Sequence, residues 1–191
     1  MVVRELWQEL SEAAFAPAGF EVGFGDGEGL PPIPIPGGGM NAVLRGFIDR
    51  VDIWDNGASR YYRVVDYKTG KKDFDYCDVF NGVGLQMLLY MFALKSSGSD
   101  MLGDRPVAAG VQYFPARAPY LTSDGKLTAE EAEQERISKW KRKGLLLNDE
   151  DVLQAMEPGD APKRMCYSVK KDGTISGDLA DRQQLKLLEG Y

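Results

Sequence analysis

Apolar and polar positions follow two different periods along the chain, and these predict helices and strands in turn. Residues 3–15 repeat apolar side chains at helical spacing and carry charges on the opposite face. Residues 84–94 are apolar nearly all round, which is typical of a buried helix. Residues 20–24 and 106–114 predict strands. The apolar stripe of the first helix comprises Val3, Leu6, Trp7, Leu10 and Ala14, and its outer face comprises Arg4, Glu5, Gln8, Glu9 and Glu12.

A β-hairpin is the strongest local prediction. Residues 42–54 and 60–68 are rich in Val, Ile, Tyr and Phe, and Asp55, Asn56 and Gly57 lie between them. An Asn-Gly pair readily takes the positive φ values that tight turns require. We therefore expect the two segments to pair as antiparallel strands.

Two aspartates share one face of this hairpin. Because side chains alternate with period two, Asp49 and Asp66 point to the same side of the predicted sheet. A four-residue loop over residues 56–59 would set Asp49 directly opposite Asp66, whereas a two-residue turn would set it opposite Val64. Either register leaves the two aspartates roughly 5–8 Å apart at Cβ.

Two further helices are predicted from their caps. Thr128 and Glu131 have capping-box spacing, at the start of a helix that runs from acidic to basic residues. We expect Gly144 to end that helix. Asn148 and Asp151 predict the cap of a shorter helix.

The remaining segments complete an α/β pattern. Residues 25–39 are dominated by glycine and proline, so they predict a surface loop without regular structure. Residues 179–188 predict a last helix. No internal repeat is found, and we expect residues 1–191 to form one α/β domain.

Composition excludes several chemistries. The 191 residues include no histidine, so the chain cannot itself supply Ser-His-Asp or Cys-His catalysis or an imidazole metal ligand. The two cysteines, Cys77 and Cys166, are too few for a four-thiolate zinc or iron–sulfur site. Metal chemistry would therefore use oxygen ligands, which suit magnesium, calcium or manganese.

The charge is acidic overall and basic locally. A formal net charge of −6 argues weakly against a general nucleic-acid binder. Residues 40–72, however, include seven basic and four acidic side chains, so the hairpin region is locally positive. The chain has neither an apolar run of membrane-spanning length nor a secretory leader pattern, and we expect a cytoplasmic protein without a membrane partner.

The paired carboxylates and a nearby lysine form a complete set for phosphodiester cleavage. Carboxylates this close repel each other unless one is neutralised or a cation lies between them. Asp49 and Asp66 would hold Mg²⁺, or Mn²⁺, which would clamp the scissile phosphate. Lys68 would orient or deprotonate the attacking water and stabilise the growing negative charge. The simpler interpretation is that both aspartates form sheet salt bridges with Arg50, Arg63 or Lys68.

Gln86 and Tyr90 interrupt the otherwise apolar helix. They are four residues apart and therefore share one helical face. A buried amide without a partner costs about 1–3 kcal/mol, so we expect Gln86 to contact a phosphate, a metal-bound water, Lys68 or a backbone group. The simpler interpretation of Tyr90 is ordinary packing in the core.

Three successive motifs resemble the RecB-type branch of the PD-(D/E)XK nucleases. They are GFIDRVD (residues 46–52), DYKTG (66–70) and QMLLY (86–90). Further stretches, including GLPPIPI (29–35) and YFPARAP (113–119), are similar to the C-terminal nuclease domain of the AddB family of helicase/deoxyribonuclease subunits. The resemblance implies a restriction-endonuclease-like fold, in which a mixed sheet is flanked by helices.

The resemblance also implies roles at the matching positions. Asp49 and Asp66 match the two metal-binding aspartates, and Lys68 matches the catalytic lysine. The backbone carbonyl of Tyr67 would be a further metal ligand.

Three other residues match the family outside that core motif. Gln86 and Tyr90 match the motif that positions the active site and DNA, and we count them among the catalytic-site residues. Glu21 lies where the family has a strand glutamate, and it is equally well explained as a surface carboxylate.

Two departures from the family concern cofactors. Family members carry a histidine on an upstream helix that completes the metal site, and AddB proteins carry four cysteines that hold a [4Fe–4S] cluster. The chain has no histidine, and neither Cys77 nor Cys166 fits the cysteine pattern. We therefore expect a fragment of a larger subunit, truncated at both ends, whose parent carries the cluster.

The implied function is that of a Mg²⁺-dependent DNA exonuclease domain in an AddAB-type helicase–nuclease. Such a complex would process DNA ends at double-strand breaks for recombination, with an AddA subunit as partner, and this domain would cut the 5′-terminated strand. Two alternatives remain. One is a non-catalytic DNA-binding or subunit-docking module with the same fold, and the other is a free-standing RecB-like exonuclease.

Overall fold

A six-stranded mixed sheet forms the centre of the computed structural model, which describes residues 2–35, 42–121 and 125–190. Its strands are, in spatial order, β1 (Ala16–Phe24), β4 (Gly46–Asp55), β5 (Arg60–Lys68), β6 (Val107–Pro115), β7 (Lys143–Leu147) and β10 (Leu179–Ala180). The pairs β5–β6 and β7–β10 are parallel and the other three are antiparallel. This arrangement confirms the predicted mixed α/β fold.

Seven helices and two small ladders surround the sheet in the described ranges. The helices are α1 (Val2–Glu12), α2 (Tyr76–Phe80), α3 (Gln86–Ser97), α4 (Ser99–Leu102), α5 (Ala129–Lys139), α6 (Glu150–Met156) and α7 (Arg182–Glu189). The ladders pair β2 (Ile33–Ile35) with β3 (Ala42–Leu44), and β8 (Tyr167–Val169) with β9 (Ile175–Gly177). No helix in these ranges has the length and apolar character needed to span a bilayer.

Helices α1 and α3 cover opposite faces of the sheet. Tyr62 Oη donates to the carbonyl of Met91 in α3 at 2.8 Å, and the adjacent Arg63 donates from Nη2 to Glu9 in α1 at 2.8 Å. Neighbouring residues of a strand point to opposite faces, so the two helices lie on the two sides of β5. The chain passes through α3 between the parallel strands β5 and β6, as such a pair requires.

The hairpin prediction is confirmed, with the four-residue loop. Asp55 pairs with Arg60, and the ladder continues to Arg50 and Val65. Asn56 closes the loop because its Oδ1 accepts from the N–H groups of two later loop residues, at 3.0 and 2.8 Å. The two-residue turn is wrong, since it would require a different register.

The predicted first helix exists, but the prediction of its buried face is wrong. Val3 and Trp7, from the apolar stripe, are 78% and 68% exposed. Glu9, from the predicted outer face, is only 2% exposed. The helix presents a carboxylate to the sheet because three buried arginines lie beneath it and require a counter-charge.

The glycine- and proline-rich segment is more regular than predicted. Ile33–Ile35 forms β2 and pairs with Ala42–Leu44, with Pro34 opposite Val43. A two-stranded ladder has only edge strands, and a proline is tolerated on an edge because its missing N–H need not bond. Residues 36–39 of the predicted loop lie outside the described residues.

The predicted capping-box helix is confirmed as α5, but Gly144 does not end it. Thr128 and Glu131 bond reciprocally at its start, and the helix ends at Lys139. Gly144 lies in β7 with φ +149°, where a Cβ atom would come within 2.0 Å of the Val111 carbonyl oxygen. The glycine therefore permits the close approach of β6 and β7.

The last two helices begin at residues other than those predicted. Asp149, rather than Asn148 or Asp151, caps α6 by accepting from the N–H of Val152. Leu179–Ala180 extends the sheet as β10, and Asp181 caps α7 after it.

Candidate active site

The candidate site lies where the hairpin strands separate. The β4–β5 ladder ends at Arg50 and Val65, one residue before Asp49 and Asp66. Beyond that point β5 continues to pair with β6, where Asp66 is opposite Tyr113, while β4 continues to pair with β1. The two strands therefore diverge and leave the aspartates at an open end of the sheet.

Three of the predicted site residues come together at this end. Asp49 is half-buried, and its Oδ2 accepts a hydrogen bond from the N–H of Tyr67 at 2.7 Å. Asp66 is 7% exposed, and its Oδ2 lies 2.6 Å from Lys68 Nζ. Among the described residues, the salt-bridge interpretation therefore applies only to the Asp66–Lys68 pair.

Arg50 and Arg63 lie on the other face of the sheet from the aspartate pair. Both are fully buried and bind Glu9 and Asp52 instead. The acidic pair therefore keeps Lys68 as its basic neighbour and faces the open end of the hairpin.

Asp66 is a largely buried carboxyl group on a central strand of the sheet. Burial raises the pKa of its carboxyl above the ordinary value, the ammonium of Lys68 lowers it, and the nearby Asp49 raises it. Burial and the like charge outweigh the lysine. A further cation close to Asp66 would stabilise the ionised form of this carboxyl.

The donor set fits a hard divalent cation. Asp66 Oδ2 is buried and receives no hydrogen bond of good geometry from the described residues, although Lys68 lies beside it. Mg²⁺ in proteins is often bound through one or two carboxylates and completes its coordination with water. Among the described residues no group of three or more His, Cys, Asp or Glu side chains is placed to hold a metal. The ligands that the protein would supply to such a cation are the carboxylates of Asp49 and Asp66 and a main-chain oxygen such as that of Tyr67.

Gln86 and Tyr90 lie together, but the expectation that Gln86 is buried is wrong. Gln86 begins α3 and is exposed, whereas Tyr90 is 4% exposed. Gln86 Nε2 donates to Tyr90 Oη at 2.8 Å, which is a partner that the sequence did not suggest. A Cβ atom added to Gly46 would lie 2.5 Å from Tyr90 Oη. The pair therefore supports the start of β4, three residues before Asp49.

A buried charge cluster behind the site was missed in the sequence. It comprises Glu9, Arg50, Asp52, Arg63 and Arg142, each at most 3% exposed. Glu9 contacts all three guanidinium groups at 2.8–2.9 Å, and Asp52 contacts Arg50 and Arg63 at 2.8–2.9 Å. The sequence did contain a signal for it. Arg50 and Asp52 share one face of β4, and Arg63 lies on the same face of the neighbouring β5, so these charged side chains require buried partners.

One hydrogen bond joins this cluster to Tyr67, the residue between Asp66 and Lys68. Arg50 Nη1 donates to Tyr67 Oη at 3.0 Å. Burial alone would raise the pKa of Glu9, but Arg63, Arg142 and Arg50 outweigh it and lower that pKa from 4.5 to about 2. Glu9 therefore remains ionised and fixes the arginines behind the site.

Glu21 lies on the strand beside the predicted metal site. The β1–β4 register pairs Phe20 with Arg50 and Val22 with Ile48, which places Glu21 across from Asp49. Its side chain is exposed and its φ is +49°, an uncommon value for a residue other than glycine. Both interpretations of Glu21 stay predictions.

A basic groove extends from Lys68 along the face of the domain. It has a volume of about 630 Å³ and lies between the end of β5, the segment after β6 and the end of α5. Of the described residues that line it, seven are basic and one is acidic, Asp73. The basic residues are Lys68, Lys71, Lys72, Arg117, Lys139, Lys141 and Lys143. The charge of this groove suits a polyanion.

The two cysteines lie outside the strands that carry the aspartate pair. Cys77 is exposed in α2, and Cys166 is half-buried just before β8. Both are free thiols. The predicted iron–sulfur cluster of a longer parent protein stays a prediction.

Comparison with known proteins agrees with this geometry. Three similar relatives are AddB-type subunits of ATP-dependent helicase/deoxyribonucleases. The chain is 34% identical, over 97% of its length, to that of Clostridium acetobutylicum, 35% identical over its full length to that of Acetivibrio thermocellus, and 37% identical over 92% to that of Bacillus subtilis. The chain spans only 15–17% of the length of these relatives.

A family model covers most of the chain. The model of the PD-(D/E)XK nuclease superfamily matches residues 1–165, which include β4, β5, α3 and the basic groove. With this match and the placement of Asp49, Asp66 and Lys68, the chain belongs to the PD-(D/E)XK nuclease superfamily.

Proposed function

We propose that this domain hydrolyses DNA phosphodiester bonds with the help of a divalent metal ion, Mg²⁺ or Mn²⁺. The observation that carries the proposal is the meeting of Asp49, Asp66 and Lys68 at the open end of the hairpin. Two carboxylates provide the metal ligands and an ammonium provides a donor for the phosphate, while the groove beside them supplies positive charge.

Asp49, Asp66 and the carbonyl of Tyr67 would hold the ion, which supplies Lewis-acid stabilisation of phosphate charge when bound. Lys68 Nζ has three donors and lies at the rim of the groove, so it can orient a water and donate to a phosphate oxygen. The Tyr67 N–H fixes the rotamer of Asp49. Each group is thus placed before the substrate arrives, which is the main requirement of electrostatic catalysis.

Cleavage of labelled DNA by the chain itself tests this proposal. Wild type should cut end-labelled oligonucleotides in Mg²⁺ or Mn²⁺ and not in EDTA. Lys68→Ala should reduce the cleavage rate at least 100-fold, whereas Lys170→Ala, an exposed lysine outside the groove, should leave it unchanged. Binding of DNA without any metal-dependent cleavage would contradict the proposal and favour the non-catalytic DNA-binding module.

We further propose that the domain acts within a larger helicase–nuclease subunit. The AddB-type relatives are about six times longer than the matched region, which supports this context. The proposed partner is an AddA subunit, the substrate is a DNA end at a double-strand break processed for recombination, and the strand cut is the 5′-terminated one. In the two-subunit complex, Asp66→Ala should abolish cutting of that strand only. Unchanged cutting of the 5′-ended strand would contradict the assignment.

A further inference from the structure

The far part of the basic groove carries an exposed aromatic ring. Tyr120 is 74% exposed, yet it lines the same groove as Lys68. It is the most exposed tyrosine among the described residues. An exposed aromatic ring beside basic side chains is the combination on which proteins stack the bases of single-stranded nucleic acid.

Two basic residues contact Tyr120, one at its ring and the other at its backbone carbonyl. The guanidinium carbon of Arg117 lies 4.8 Å from the ring centroid, and its Nη2 donates to Tyr120 Oη. Lys139 Nζ, from the end of α5, donates to the Tyr120 carbonyl at 3.4 Å. One face of the ring is thus occupied by a cation, and its exposure leaves the rest of the ring accessible.

The groove connects this ring to the catalytic end. Lys68 pairs with Pro115 at the end of the β5–β6 ladder, and Tyr120 follows Pro115 by five residues. Five residues span at most about 18 Å, so the ring lies within a few nucleotides of a phosphate at Lys68. Trp140 Nε1 donates to the Pro115 carbonyl at 2.9 Å and fixes this segment against the end of α5.

We propose that Tyr120, backed by Arg117, stacks on an unpaired base of single-stranded DNA whose phosphates follow the basic groove away from Lys68. The proposal rests on the proposed nuclease function and adds to it a residue that positions the unpaired strand. An aromatic ring stacks on any unpaired base, whereas the bases of a duplex are already paired and stacked. The groove lysines would contact the backbone without selecting a sequence.

Binding of fluorescent single-stranded dT20 and of a matched duplex, measured by anisotropy in EDTA, tests the proposal. Tyr120→Ala should weaken single-strand binding about 5- to 150-fold, the range for one stacked base, and duplex binding less than 2-fold. Tyr120→Phe retains the ring and should bind within 2-fold of wild type. Trp7→Ala removes a similarly exposed aromatic ring outside the groove and should have no effect.

Salt dependence separates stacking from charge. Tyr120→Ala should leave the slope of log affinity against log salt concentration unchanged, because no phosphate contact is lost. Lys141→Ala should reduce the slope by about 0.7, the value for one phosphate of a single strand. A changed slope in Tyr120→Ala would contradict the stacking role.

The remaining outcomes distinguish this proposal from the nuclease assignment. Suppose that wild type cleaves DNA, but that Tyr120→Ala either binds single strands like wild type or loses affinity for single strands and duplex equally. The stacking proposal is then wrong and the nuclease assignment stands. If wild type neither binds nor cleaves either substrate, both are wrong.

Discussion

Tyr67 N–H donates to Asp49 Oδ2 at 2.7 Å, across the gap where the two hairpin strands separate. The side chain of the same tyrosine is held at its other end, where Tyr67 Oη accepts from Arg50 Nη1 at 3.0 Å. The residue between Asp66 and Lys68 is therefore bonded both to a predicted metal ligand and to the buried charge cluster. The geometry of the site depends on α1 as well as on the hairpin.

Tyr67→Phe should reduce stability while leaving the contact to Asp49 intact. It removes one hydrogen bond from a charged donor, so we expect the free energy of unfolding to fall by about 1–3 kcal/mol. The main-chain N–H remains, so the affinity for a divalent metal should stay within about threefold. Urea denaturation and a metal titration measure the two quantities. An unchanged free energy of unfolding would show that the Arg50–Tyr67 bond is unimportant.

Glu9→Gln should strongly destabilise the domain. The substitution leaves three buried guanidinium groups with Asp52 as their remaining carboxylate in the cluster. Breaking a buried ion pair on one side costs about 3–5 kcal/mol. Glu12→Gln is the matched control, since Glu12 lies on the same helix and its own side chain is 49% exposed, so it should cost at most about 1 kcal/mol. Equal effects of the two substitutions in urea denaturation would contradict the assignment of the cluster.

The same carboxylate predicts a pH dependence of stability. The pKa of Glu9 is about 2 in the folded protein and 4.5 ordinarily, so between these values the unfolded chain binds more protons. Its stabilising contribution is complete above about pH 4.5 and is lost as the pH falls towards 2. The free energy of unfolding, measured by urea at each pH, should fall over this window by more in wild type than in Glu9→Gln. Parallel curves would mean that Glu9 does not titrate as described.

Gly46→Ala should damage the site by displacing Tyr90. The new methyl carbon would lie 2.5 Å from Tyr90 Oη, too close for any real contact. We expect cleavage to fall at least 10-fold, because a small misplacement of catalytic groups has a large effect on rate. The double variant with Tyr90→Phe removes the clashing oxygen, so its free energy of unfolding in urea should be higher than that of Gly46→Ala alone. Gly29→Ala, where no atom lies within 4 Å of the new Cβ, should behave like wild type.

The hairpin and its aspartates could be predicted from local rules. Alternation along two strands and an Asn-Gly loop determine which face Asp49 and Asp66 share, and one of the two registers considered is the observed one. The capping box at Thr128 is equally local and was equally predictable.

Features that depend on distant parts of the chain could not be predicted in this way. Helical periodicity assigned Glu9 to the surface, but three arginines from β4, β5 and the segment before β7 require it inside. Glycine commonly ends a helix, so the sequence predicted that role for Gly144. It lies in a strand instead, because β6 approaches its backbone too closely for a side chain. The basic groove likewise combines residues from three separate segments, so no single stretch of sequence reveals it.

Calorimetric titration with Mn²⁺ tests most directly the claim that Asp49 and Asp66 together form a divalent-metal site. Wild type should bind the ion, Asp49→Asn and Asp66→Asn should each weaken binding at least 10-fold, and Asp160→Asn, an exposed aspartate in the loop after α6, should bind like wild type. Far-UV circular dichroism would verify that all three variants are folded. Equal Mn²⁺ affinity in wild type and both active-site variants, or no binding by wild type, would contradict the claim.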